Sequence, residues 1–378
     1  MNSTLLTSFN DTPYDYSFSY NFTDYYDDSE PPIDALVNIA IMVLLFIIGI
    51  PANAIVIIVL LFSRTKGFSV TSMYIINMAV VDLLMLSIQI PMKIGELVAV
   101  YTDERVILIH VTPWLCKIAV GTIYVNMTVS ILTLMALSIT RYCAVMHPVG
   151  TRADRSKGRT LLLLIGIWVV CLGYCSLPFI HITPHPFLDM CVENWYNGVR
   201  RGIFSVSLTF FFYLLPLVVI CICYASMAKV LWNAGSEISN NRSGAARRQS
   251  RRKIARMVLV LVVCFACCWL PYHTRVLIEI LKVARNNSFY FYFSFCARAL
   301  AYFNSCLNPL LYSFLGENFR SQMKDVFFCF PALSLRKEGP SITTALHEID
   351  GSRRGNNNSA DTQMTYAGHT KMMTSKPL

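Results

Sequence analysis

The sequence predicts an all-α membrane protein: a seven-transmembrane helix bundle followed by a short amphipathic eighth helix. Of the 378 residues, 55% are hydrophobic and only 14% are charged, a balance too apolar for a soluble domain. Seven predominantly apolar stretches lie at 33–62, 69–97, 113–146, 160–180, 202–231, 257–281 and 289–315, and about 20 such residues suffice to cross a bilayer. Lipid offers the backbone no hydrogen bonds, so helices rather than open strands must fill these stretches.

The segment 1–32 contains no Lys or Arg but carries Asp11, Asp15, Asp24, Asp27, Asp28 and Glu30, with Asp34 close behind. Its sequons at Asn2, Asn10 and Asn21 make it an expected extracellular, acidic and glycosylated segment. Basic residues gather elsewhere: Arg64 and Lys66 after the first span, Arg152, Arg155, Lys157 and Arg159 after the third, and Arg242, Arg247, Arg248, Arg251, Arg252 and Lys253 before the sixth. These loops share one side, expected to be cytoplasmic. The net charge of +10 is therefore read as an inside bias facing anionic membrane lipid, not as nucleic acid binding. No basic-then-apolar pattern precedes residue 30, so the first span is expected to serve as signal and anchor. The last span leads into an amphipathic stretch, placing a helix at 316–330, and Cys329 within it is either a palmitoylated anchor or an unmodified interfacial thiol. The remainder, 331–378, is rich in Ser, Thr, Asn and Gly and expected to be a disordered cytoplasmic tail. The expected location is the plasma membrane, with the N-terminus outside.

Most of the 13 cysteines, including Cys171, Cys221, Cys264 and Cys267, fall within spans and read as small buried hydrophobes. Cys116, at the start of the third span, and Cys191, in the loop before the fifth, both face an oxidising compartment and can pair. Cys267-Cys268-Trp269 lacks the four convergent ligands that tetrahedral zinc requires.

Ionisable groups at membrane depth are costly and usually functional. Asp82 lies mid-span with no Lys or Arg at its depth. It either stays protonated or binds a cation with oxygen-bearing neighbours, for which Asn126, Ser130, Asn304, Ser305 and Asn308 are the candidates; a sodium ion acting as an allosteric modulator fits such hard ligands. Asn308-Pro309-Leu310-Leu311-Tyr312 places a proline inside the seventh span. Proline removes a backbone donor and breaks the ladder, so this reads as a joint that neighbouring helices must support.

Asn53, Asn77 to Asp82, Arg141-Tyr142, Trp168, Pro216 and Tyr224, Phe265 to Pro271 with Trp269, and Asn308 to Tyr312 fall in order on the seven spans. Together they resemble the signature positions of the rhodopsin-like G-protein-coupled receptors, over about residues 33 to 330. The resemblance implies a ligand site opening outward and a site for a heterotrimeric G protein opening inward. It also implies that Trp269 senses the ligand, that Phe265, Pro216 and Pro271 repack, and that Tyr224 and Tyr312 swing toward Arg141 as the sixth helix moves. Tyr142, His147, Pro148 and Val149 would meet the G protein. Receptor kinases and arrestin would read Thr343, Thr344, Ser359, Thr362, Thr374 and Ser375 in the tail once phosphorylated.

Ligand class is narrowed by what is missing. The retinal lysine of opsins would fall at Tyr302, and the aspartate of aminergic receptors at Ile123. The outer ends of the spans nevertheless carry Gln89, Lys93, Glu96, Tyr124, His181, His273, Arg275, Glu279, Arg298 and Tyr302. Arg298 needs an anionic partner, either Glu96, Glu279 or a ligand carboxylate. Mixed signs around a wide mouth suit an extracellular peptide. Tyr14, Tyr16, Tyr20, Tyr25 and Tyr26, interleaved with acids, suit sulfation and a basic ligand or else a merely solvated tail. The run from Tyr302 to Arg320 resembles peptide-binding members of the family.

Other classes fit less well. A transporter commonly shows an internal repeat with paired broken helices, and the two halves here share none. Histidines such as His110, His181 and His185 lack metal-ligand spacing and no Ser-His-Asp set is arguable, so an enzyme is not expected. A ligand-binding scavenger of the same fold, coupling to arrestin only, is the nearer rival. The family usually places an acid before the arginine, and here Thr140 stands there. A weakened inactive-state latch and appreciable basal signalling follow. Thr140→Asp is expected to lower basal G-protein signalling at matched surface expression; equal signalling in the two proteins would count against the latch.

Overall fold

A computed structural model describes residues 33–63, 69–102, 112–146, 157–184, 191–195, 197–233, 242–281, 288–315 and 317–334. Helices α1 (Ile33–Phe62), α2 (Val70–Thr102), α3 (Pro113–Met146) and α4 (Lys157–Phe179) lead to a hairpin of β1 (Ile182–Pro184) and β2 (Cys191–Glu193). Helix α5 then runs as Gly198–Thr209, a π-helical stretch Phe210–Leu214 and Leu215–Asn233, followed by α6 (Arg242–Ile280), α7 (Ser288–Leu315) and α8 (Glu317–Ser334). The chain divides into two compact units, Met1–Phe327 and Phe328–Leu378. The first contains the bundle; in the second, the described residues are the last turns of α8.

Several boundaries differ from the sequence expectation. Helix α6 begins at Arg242 rather than 257. Its first turns are rich in Ala, Arg, Gln and Lys, good helix formers that no apolar criterion detects. Helix α8 continues to Ser334, past the expected end at 330, and takes in Ala332 and Leu333. Six helices are long and apolar enough to cross a membrane. Helix α7 falls short because Arg298, Asn304, Ser305 and Asn308 interrupt its apolar sequence, and of these Asn304, Ser305 and Asn308 are buried in the bundle rather than turned outward.

Helix α3 is central, touching α2, α4, α5, α6 and both strands of the hairpin, while α1 and α2 pack on α7 and α7 on α6. Burial follows that order: 67% of the most apolar window of α3 is buried, against 28% in α4. The outward residues of the peripheral helices, such as Ile47, Leu162, Val169 and Ile203, are large, apolar and exposed, as acyl chains require.

Proline placement is balanced by side-chain donors. Pro309 lacks the N–H that would reach the carbonyl of Ser305, one turn earlier. Asn53 of α1 donates Nδ2 to that carbonyl at 3.0 Å and to Gly49 O at 3.0 Å. Ser313 Oγ in turn donates to Pro309 O at 2.9 Å. Elsewhere Trp168 Nε1 donates to Asn77 Oδ1 at 2.8 Å, and Asn77 Nδ2 to Thr133 Oγ1 at 2.9 Å, joining α4, α2 and α3 through one amide.

Without a hydrophobic drive between helices in lipid, close approach at small residues does the packing. A Cβ on Gly121 of α3 would lie 2.6 Å from the Phe179 ring at the end of α4. One on Gly166 would meet nothing within 4 Å. Gly121→Val is therefore expected to destabilise the protein by about 1–3 kcal/mol, as overpacking does, whereas Gly166→Val leaves it near the parent. Thermal unfolding of the two variants in detergent, followed by tryptophan fluorescence, checks this difference.

Candidate functional site

At one end of the bundle the β1–β2 hairpin lies across the helices. The Cys116–Cys191 disulfide ties β2 to the start of α3, and the antiparallel register pairs Ile182 with Glu193 and Pro184 with Cys191. Asn194 N donates to His181 O at 2.6 Å, closing the hairpin on the end of α4. Glu96 of α2 accepts from Cys191 N at 3.2 Å through Oε1, while Lys93 Nζ approaches its Oε2 at 2.5 Å. Trp195 stacks on His181 with ring centroids 4.1 Å apart and on Phe204 at 5.4 Å. The hairpin is thus anchored to α2, α3 and α5 at once.

Beneath it the polar residues form three groups. Glu279 of α6 is nearly fully buried and is held by Arg201 Nη2 at 2.8 Å, by Arg275 one turn earlier and by Tyr290 OH at 2.9 Å. Such an ion cluster tolerates burial because every oxygen is occupied. Arg275 also lies over the Tyr272 ring at 5.3 Å. In the second group Tyr124 OH donates to Glu193 Oε1 and Trp195 Nε1 donates to Oε2 at 3.2 Å. In the third, Tyr302 OH donates to Gln89 Oε1 at 3.3 Å, and Gln89 Nε2 to Thr122 Oγ1 at 3.4 Å. His273 Nδ1 lies 2.9 Å from Thr209 Oγ1 and its ring 4.4 Å from that of Tyr213, while Nε2 is buried with no hydrogen-bond partner among the described residues.

The structure therefore joins Arg275 with Glu279, Lys93 with Glu96, Gln89 with Tyr302, and sets Tyr124 on a residue outside the expected set. Arg298 is half-buried on α7. Glu193, Trp195, Arg201 and Tyr290 were missed. Arg201 lies just before the expected start of the fifth span. Glu193 carried a usable signal: two residues past a cysteine pinned to α3, an extended chain brings it back to the same face.

At mid-depth, Asp82 accepts from Asn126 Nδ2 at 2.9 Å and Ser305 Oγ at 2.7 Å on Oδ1, and from Asn308 Nδ2 at 2.8 Å on Oδ2. Ser130 and Asn304 are also buried, and among the described residues neither is joined to Asp82 by a hydrogen bond. Among the described residues Asn126 Oδ1 and Ser130 Oγ have no hydrogen-bond partner. One carboxylate with spare neutral oxygens suits a hard cation.

Above this region Trp269 is fully buried, its ring 5.9 Å from Phe265 and 5.6 Å from Tyr272. Pro216 follows the π-helical stretch of α5, and Pro271 lies inside α6 two residues past Trp269. At the end opposite the hairpin, Arg141 donates to Thr71 Oγ1, while Thr140 Oγ1 lies 3.2 Å from Tyr74 OH and donates to Ala136 O at 2.8 Å. Tyr142 follows on α3, Tyr224 faces in from α5, and Tyr312 OH meets Met78 Sδ at 3.5 Å. Asn2, Asn10, Asn21 and the side chain of Cys329 lie outside the described residues.

A family model described as 7 transmembrane receptor (rhodopsin family) matches residues 52–312. Galanin receptor type 1 of Homo sapiens is 34% identical over 302 residues, 79% of this chain and 83% of that protein. The Allatostatin-A receptor of Bombyx mori is 32% identical over 292 residues, 75% of this chain and 78% of that one. Somatostatin receptor type 5 of Bos taurus is 31% identical over 304 residues, 78% and 77% of the two chains. The family match takes in the Asp82 cluster, Arg141, Trp269 and the Pro309 joint together, and so the chain belongs to the rhodopsin family of seven-transmembrane receptors.

Proposed function

We propose that this receptor sits in the plasma membrane with its hairpin end outside, binds a secreted peptide there, and activates a heterotrimeric G protein at the opposite end through outward movement of α6. The polar mouth is the observation that carries the reading. Acids and bases from α2, α5, α6 and β2, with the Tyr124 hydroxyl of α3, gather at one end, a spread over several elements suited to a chain of several residues rather than a small amine. The names of its relatives, galanin, allatostatin-A and somatostatin receptors, favour a peptide as well. The acidic segment 1–32, glycosylated at Asn2, Asn10 and Asn21, would attract a basic ligand.

Further parts of the reading follow. Sodium at Asp82, held with Asn126, Ser130 and Ser305 oxygens, would favour the inactive state. Palmitate on Cys329 would hold α8 at the lipid surface. Kinases and arrestin would end signalling at the tail. Thr140 keeps one alternative open, a receptor that recruits arrestin without G protein, because its hydroxyl faces Tyr74 where an acid would brace Arg141.

A screen of secreted peptides against cells bearing the receptor, reading G-protein dissociation and arrestin recruitment together, tests the assignment. Peptide-dependent signals in both channels are expected; arrestin alone would establish the alternative, and silence in both would overturn the peptide reading. With the agonist in hand, Arg298→Ala and Glu279→Ala are each expected to lower potency about tenfold or more, as centrally placed interface residues do. Unchanged potency in both removes the mouth as the binding site. Replacing sodium by choline is expected to raise agonist affinity in the parent but not in Asp82→Asn, a difference that radioligand competition at fixed ionic strength measures.

A further inference from the structure

We propose that Glu193 of β2 is the anionic anchor for a cationic group of the ligand, an ammonium or a guanidinium. The proposal rests on the hairpin end being the ligand mouth. Glu96, Glu279 and Glu193 have described side chains there, and their surroundings differ. Glu96 has Lys93 at 2.5 Å, and Glu279 has both Arg201 and Arg275. Glu193 has only neutral donors, the Tyr124 hydroxyl and the Trp195 indole N–H, and among the described residues no cation makes an ion pair with it. Two neutral donors orient a carboxylate without neutralising it, leaving its charge to a partner from outside.

The orientation is built rather than incidental. The disulfide fixes Cys191 on α3 and the register places Glu193 opposite Ile182. Trp195 is clamped between His181 and Phe204, and Tyr124 meets Phe204 edge-on at 5.6 Å. A half-buried carboxylate on such a frame loses little freedom when a cation arrives, so the attraction is spent on binding rather than on ordering. A second, independent observation agrees with the sign. The segment 1–32 bears six acidic residues and no Lys or Arg, a charge that favours a positive ligand. The position also makes chemical sense on α3. Ile123 leaves that helix without an acid at its outer end, and the neighbouring Tyr124 instead holds one supplied by the hairpin.

The test uses full-length receptor at matched surface level as parent, Glu193→Gln, Glu193→Lys and Tyr124→Phe. The probes are a library of secreted peptides, each also made with amines acetylated and Lys and Arg replaced by Gln, together with a panel of small organic amines. The activating probe is expected to be cationic, and on the parent its neutralised form should be weaker by about tenfold or more. On Glu193→Gln the two forms should become equipotent, and on Glu193→Lys the cationic form should fail. Tyr124→Phe should keep the preference for charge, which separates the carboxylate from its frame. An activating peptide whose charge preference persists in Glu193→Gln, or which shows none on the parent, overturns the anchor and leaves the peptide reading standing. Activation by small amines alone, lost in Glu193→Gln, supports the anchor and overturns the peptide reading. A surface-expressed receptor silent to every cationic probe overturns the anchor.

Discussion

Every backbone polar group at membrane depth must find a partner inside the protein, and the hydrogen bond from Asn53 to the carbonyl of Ser305 is where this structure meets that demand most tellingly. Pro309 would otherwise leave that carbonyl unpaired, and an unpaired buried acceptor costs about 1–3 kcal/mol. The repair brings α1 against α7, and the Ser305 side chain, on the same turn, reaches Asp82 of α2. A break in one helix thereby becomes the shared contact of three. The same turn carries Asn308 to the other oxygen of Asp82, so the joint and the charged cluster are one construction. Such an arrangement can hold a bent helix in place while leaving it able to rearrange, because side chains rather than the regular ladder close its hydrogen bonds.

At the mouth a different balance governs. Lys93–Glu96 is a neutral pair and the Arg201–Glu279–Arg275 cluster keeps one positive charge in excess, so in both the carboxylate is neutralised by a cation of the protein itself. Glu193 stands apart because its partners are neutral. The hairpin makes that difference possible by carrying a carboxylate over the bundle on a strand tied to α3, α2 and α5, where a loose loop would leave it in water. The aromatic stack of His181, Trp195 and Phe204 supplies the stiffness.

Much of this was legible in the residues. Apolar runs located the spans to within a few residues except at α6, whose basic first turns are helical without being apolar. The deep polar residues were also legible, since Asp82, Asn126, Ser305 and Asn308 are costly in lipid and have few partners but one another. The mouth was harder. Arg275 and Glu279 are one turn apart and advertise their pairing, yet Arg201 completes the cluster from α5, and nothing in linear order relates 201 to 279. Ser130 and Asn304 are buried, yet Ser130 Oγ and Asn304 Nδ2 find no hydrogen-bond partner among the described residues, because a helical face fixes which way a residue points but not how far its atoms reach.

By itself the sequence determined that the chain crosses a membrane as helices and which polar residues interrupt its apolar spans, because hydrophobic transfer and backbone pairing act on local composition. Tertiary structure alone decided which carboxylates of the mouth are neutralised and that Asn53 mends the break at Pro309. Both depend on distances between residues far apart in the chain, which only the packing of the helices and the hairpin sets.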